Sequence, residues 1–163
     1  MILVSACLAG INCKYNGKSN LNREIQKMVA CGRAIPVCPE QLGGCPTPRM
    51  KTEIFNGTGE DVLAGKSQVI REDGEDMTEK FIGGGEEVLK IAQLVGAKKA
   101  IMKSKSPSCG CGEIYDGTFS GKLIKGNGVT SEILLKNNIK VVTENEIEEF
   151  LREEKDEHQV FSR

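Results

Sequence analysis

Hydrophobic and polar positions alternate along the chain in a way that separates short apolar runs from longer helix-like stretches. Five runs read as β-strands: ILVSA (2–6), AIPVC (34–38), SQVIRE (67–72), KAIMK (99–103) and IKVVT (139–143). Between them, NREIQKMVACG (22–32) puts Ile25, Met28 and Val29 on one helical face and ends on a glycine. EEVLKIAQLVGA (86–97) does the same with Val88, Leu89, Ala92 and Val95, and VTSEILLKNN (129–138) leads into the last strand. A final helix follows Thr143, whose spacing to Glu146 is that of a capping box. Asp73-Gly74 predicts a hairpin turn. Residues 117–130 read as a hairpin and loop running into the helix at 129. The triplet Gly83-Gly84-Gly85 is expected to break or kink any helix spanning 78–96.

Strand and helix alternation of this kind predicts an α/β fold with a mostly parallel sheet and a small hairpin. With 163 residues the chain has the size of one domain. Residues 1–152 are assigned to it, and 153–163 form a polar C-terminal tail. In open parallel sheets ligands sit beyond the carboxyl ends of the strands, so the loops that follow strands are where chemistry is expected.

Composition narrows the function. A net charge of −1 offers no support for binding a phosphate backbone. MILVSACLAG lacks the basic start of a signal peptide, and no apolar run is long enough to cross a bilayer. These features predict a cytoplasmic protein, where structural disulfides are rare. Its seven cysteines therefore call for another explanation. Cys7 closes the first strand, Cys38 the second, and Cys109 lies in the loop after KAIMK. A parallel sheet would gather these three at one edge. Cys45, on the glycine-rich loop beyond Cys38, could reach the same place. Cys13 lies near the first loop, Cys111 forms a C-x-C with Cys109, and Cys31, at a helix end, is read as packing.

No C-x-x-C pair is present, and the only histidine, His158, lies in the tail, so spacing does not support a structural zinc site. Thiolates also hold iron–sulfur clusters, whose ligands need not be close in sequence. The isolated histidine argues against a Cys–His nucleophile pair, which leaves acid–base work to a carboxylate, hydroxyl, lysine or water. Glu40 is the best-placed carboxylate, and Ser104, Ser106 and Ser108 make a hydroxyl-rich turn suited to a small polar ligand or to capping the loop. No nucleotide fingerprint follows any strand.

Four segments taken together, VSACLAGINCKYNGKS, VCPEQLGGCPTPR, KSKSPSCG and IYDGTFSGKLIKGNGVT, resemble the thiouracil desulfurase family over roughly residues 1–143. The resemblance implies a single Rossmann-like α/β domain carrying a [4Fe–4S] cluster on three cysteines. It also implies removal of sulfur from a small thiolated pyrimidine such as 2-thiouracil, giving uracil and sulfide without net redox change. By motif, Cys7 and Cys109 are ligands, and the third is Cys38 or Cys45. Glu40 would act as general base on a water, Ser106 would stand beside developing charge, and Ser104 and Ser108 would hold the pyrimidine. Two rivals are a zinc-stabilised binding domain without catalysis and a cluster enzyme acting on another thiolated nucleoside or a tRNA base.

Overall fold

Every residue of β1 (Ile2–Ser5) is buried, and its side chains divide by alternation. Ile2 and Val4 belong to one core cluster while Leu3 belongs to another. A strand buried on both faces must lie inside a sheet covered on both sides. The computed structural model, which describes the backbone of residues 1–160 and the side chains of residues 1–154, shows this arrangement. The four-stranded sheet has the order β2-β1-β5-β8 and is parallel throughout, with β2 at Ala34–Val37, β5 at Lys99–Met102 and β8 at Lys140–Thr143.

On one face pack α1 (Arg23–Ala30) and α6 (Ile147–Val160), which contribute Ile25, Met28, Ile147 and Phe150. On the other lie α4 (Thr78–Leu94) and α5 (Val129–Lys136), with Val88, Ala92 and Leu134. The helix ends follow local chemistry. Asn22 caps α1 by accepting from the N–H groups of Glu24 and Ile25. Thr143 and Glu146 form the capping box expected ahead of α6. α6 extends through most of the segment read as a polar tail. The side chain of His158 and residues 161–163 lie outside the described residues.

Two departures from the sequence reading concern the second half of the molecule. The run at 67–72 forms β4 (Gln68–Arg71), which pairs antiparallel with β3 (Thr52–Phe55) outside the main sheet. The turn at Asp73-Gly74 lies where expected, closed by a hydrogen bond from Gly74 N–H to Arg71 O. A second hairpin pairs β6 (Glu113–Tyr115) with β7 (Leu123–Lys125); its turn and second strand fall within 117–130, read as a hairpin, and its first strand lies just before it. Ile54, Val69, Phe81, Ile114 and Ile133 make a third core cluster beneath the two hairpins.

The second departure is at the glycine triplet. α4 runs without a break through Gly83–Gly85. Gly84 is there for close approach. A Cβ on Gly84 would lie 1.9 Å from the carbonyl oxygen of Pro39, and one on Gly43 would lie 2.0 Å from that of Lys80. The short helix α2 (Pro39–Leu42) is thus pressed backbone to backbone on α4. Glycine's helix penalty, about 1 kcal/mol per residue, is offset by a contact that no other residue permits. Gly84 thereby packs against Pro39, the residue between Cys38 and Glu40.

Candidate functional site: a thiol-lined cavity at the strand ends

Four strand ends deliver side chains to one region. β1 passes into a 3-10 turn (Ala6–Ala9) that carries Cys7 and is stopped by Gly10 in the left-handed conformation. The following loop folds back, with Asn20 N–H donating to Cys7 O, and this places Cys13 in the interior at 1% exposure. β2 ends at Cys38, the N-cap of α2, with Glu40 in the helix's first turn. β5 leads into Lys103 and the serine-rich loop to Cys109. β8 delivers Glu144.

A cavity of about 380 Å³ opens at this edge, within the size range of small-molecule sites. It is lined by Cys7, Cys13, Cys38 and Cys109 together with Glu40, Ser104 and Ser106. Cys45 does not line it. That thiol is buried in the third core cluster, although its own N–H reaches Glu40 O. Ser108 also turns away: it is fully buried, and its hydroxyl is 2.8 Å from that of Thr130. Its place in the motif is structural, since Ser108 O accepts from Thr130 N–H and docks the loop on the start of α5. Cys31, read as packing, is exposed at the C-cap of α1.

The thiols are electrostatically unequal. Cys13 donates to Cys7, which with help from Asn20 and the Lys103 charge holds the Cys7 thiol below its usual value against the cost of burial. Cys38 falls to about 7 through hydrogen bonding from Cys13, the Gln41 N–H in α2 and the nearby Arg49 charge. Cys13, the shared donor, is pushed up and keeps its proton. Burial raises Cys109, which lies close enough to Cys7 and Cys38 to feel their charge.

The polar groups form two clamps. Arg49 grips Glu40 through Nε and Nη2, each 2.5 Å from Oε2, and is itself held by Pro46 O and Thr47 Oγ1. Both contacts use one carboxylate oxygen, and Oε1 has no partner among the described residues. Burial lifts the Glu40 carboxyl above its ordinary value, and Arg49 opposes the rise. In the other clamp, Glu144 accepts from Lys103 Nζ and from both the N–H and the hydroxyl of Ser104. Ser106 Oγ accepts from the N–H groups of Ser108 and Cys109, which shapes the loop that carries Cys109.

Sequence reasoning passed over Arg49, Lys103 and Glu144 as site residues. It noted Cys13 without giving it a role. Arg49 was quoted in a motif but its pairing is not readable from spacing. Glu144 carried a usable signal, because it directly follows a strand predicted to end at the same edge.

Four thiols, a carboxylate with a free oxygen and a lysine thus meet at the carboxyl edge of a parallel sheet, where α/β enzymes place their ligands. The family model described as 2-thiouracil desulfurase matches residues 2–146, and the chain belongs to that family. A curated relative from Bacillus subtilis (strain 168), described as uncharacterized protein YbbK, is 48% identical over 151 residues, which is 93% of this chain and all of that protein. Among solved structures the chain is similar to the [4Fe-4S]-dependent thiouracil desulfidase TudS, at 38% identity and a TM-score of 0.80, over 91% of this chain and 93% of that one.

Proposed function

We propose that this protein is a [4Fe–4S]-dependent, non-redox desulfurase that converts a thiolated pyrimidine such as 2-thiouracil to the oxo-pyrimidine and sulfide. The observation that carries the reading is the meeting of Cys7, Cys38 and Cys109, from three separate strand ends, on a cavity that also holds Glu40.

The donor set fits the cofactor. Iron–sulfur clusters take thiolates, and two of the cavity thiols are already held below their ordinary values by hydrogen bonds and nearby cations. Cys7, Cys38 and Cys109 are the ligands in this account, with Cys13 as the hydrogen-bonding thiol between two of them. Cys45, which does not line the cavity, is left outside the set in this account. When bound, a cluster with three protein ligands supplies an open iron, a soft Lewis acid matched to a thiocarbonyl sulfur.

The chain's own residues supply the rest. Tyr15, Tyr115 and Phe119, three of the chain's seven aromatic residues, line the cavity and suit a flat ring. Glu40 Oε1 takes a proton from water as the water oxygen attacks the thiocarbonyl carbon, while Arg49 holds the carboxylate in place. Lys103, fixed by Glu144 and Ser104, puts positive charge where negative charge develops. Glu40 returns that proton to the sulfur and takes the remaining hydroxyl proton as the carbon–sulfur bond breaks, so the sum is C=S plus water giving C=O plus hydrosulfide and a proton, together hydrogen sulfide. No electron enters or leaves.

Anaerobic incubation of cluster-loaded protein with 2-thiouracil is expected to release uracil and sulfide in equal amounts without added reductant. A requirement for reductant, or absence of sulfide, would overturn the reading.

A further inference from the structure

Glu53 is a carboxylate that neither the fold nor the chemistry above explains in full. It lies on β3, is 7% exposed and lines the cavity. Its Oε2 accepts two backbone hydrogen bonds, from Gly117 N–H at 2.9 Å and Phe119 N–H at 3.0 Å. These strap the β6–β7 turn against β3. The turn needs the strap, because Gly117 has φ +89 and a Cβ there would meet Ile54 O at 2.4 Å, while Phe119 has φ +57. One oxygen suffices for that work. Oε1 has no hydrogen-bond partner, and Glu53 has no ion-pair partner among the described residues. No described side-chain polar atom is both buried and unpartnered, so Oε1 is accessible, on a side chain that lines the cavity.

An ionised carboxylate oxygen only accepts. A ligand meeting it must therefore bring a donor, and leaving it unmet in a closed site is costly. A pyrimidine thiocarbonyl carbon is flanked by ring nitrogens, and in 2-thiouracil both carry hydrogen. We infer that Glu53 Oε1 accepts a hydrogen bond from a ring N–H beside the thiocarbonyl, so that the site selects thiolated pyrimidines that keep hydrogen on that nitrogen. The inference rests on the desulfurase reading and assigns Glu53 to substrate recognition, with Phe119 held over the ring by the same carboxylate.

The test compares 2-thiouracil with its 1-methyl and 3-methyl derivatives, using cluster-loaded wild type and Glu53→Gln. The glutamine keeps an oxygen for the Gly117 and Phe119 N–H groups, and thermal unfolding checks that the strap survives. Wild type is expected to process one methylated derivative about 10- to 100-fold less well in kcat/KM, mainly through KM, the span of a charge-assisted hydrogen bond. Glu53→Gln is expected to bring 2-thiouracil down toward that level and leave that derivative unchanged. Equal handling of all three compounds by wild type would overturn the inference, as would an equal loss on all three in Glu53→Gln, which would mark a strap and nothing more. Equilibrium dialysis of uracil and its two N-methyl derivatives against the same proteins separates this inference from the activity. Loss of turnover with N–H discrimination retained in binding would sink the desulfurase reading alone. Equal binding of the three uracils would sink the role of Glu53.

Discussion

Replacing Gly84 by alanine should damage the site from behind. The added Cβ would lie 1.9 Å from Pro39 O, 2.9 Å from Pro39 C and 3.1 Å from Gly43 N. Real Cβ contacts essentially never fall below 3.0 Å, so α2 must move by about 1 Å from α4. The neighbouring atoms are backbone and cannot swing aside. Overpacking of this kind costs about 1–3 kcal/mol, partly offset by alanine's better helix propensity of about 1 kcal/mol. The moving part carries Cys38 and Glu40, and a 1 Å misplacement of catalytic groups can cost on the order of 10²-fold in rate. Gly83→Ala is the matched control. Nothing lies within 4 Å of its added Cβ, so it should stabilise by about 0.4–1 kcal/mol. The assay is thermal unfolding of both variants, at roughly 2–4 °C per kcal/mol for a chain this size, paired with turnover. Equal stability and equal activity in the two variants would refute the close-packing explanation of the triplet.

Glu40→Gln should keep the visible cluster spectrum and lose about 10²–10⁴-fold in turnover, the usual scale for a general base; full activity would remove Glu40 from the mechanism. In wild type the carboxyl is raised by burial, so activity should fall as pH drops through a value above the ordinary glutamate range. Arg49 lowers that value, so Arg49→Met should shift the acid limb of the pH–rate profile further upward; an unmoved limb would show that another group titrates. Cys45→Ala should leave iron content unchanged and lower only stability, whereas Cys38→Ala should lose iron. The reverse pattern would exchange their roles.

Much of the architecture could be read from the chain because its signals are local. Short apolar runs marked β1, β2, β5 and β8, and a glycine stop and a capping box marked helix ends. The parallel arrangement followed from alternation of elements, and with it the meeting of Cys7, Cys38 and Cys109 at one edge. What escaped depends on contacts between distant segments. The run at 67–72 has the same local character as a central strand, and only its pairing with Thr52–Phe55 assigns it to a hairpin. Gly83–Gly85 looked like a helix breaker because the carbonyl of Pro39, which makes Gly84 necessary, is some 45 residues away. Cys45 and Ser108 carry suitable chemistry in the right motifs, but backbone direction turns the first into the core and the second toward Thr130. Cys13 reached the cavity through a loop reversal anchored at Cys7 O, for which spacing gives no sign.

The central claim is that three strand-end thiols hold a cluster that serves desulfuration. Anaerobic purification, followed by iron and sulfide determination and a visible spectrum, tests it most directly when wild type is compared with Cys7→Ala, Cys38→Ala and Cys109→Ala. The account predicts about four iron and four sulfide per wild-type chain with broad brown absorption, and loss of both in each variant. A colourless wild-type protein that also fails anaerobic reconstitution with iron and sulfide would contradict it.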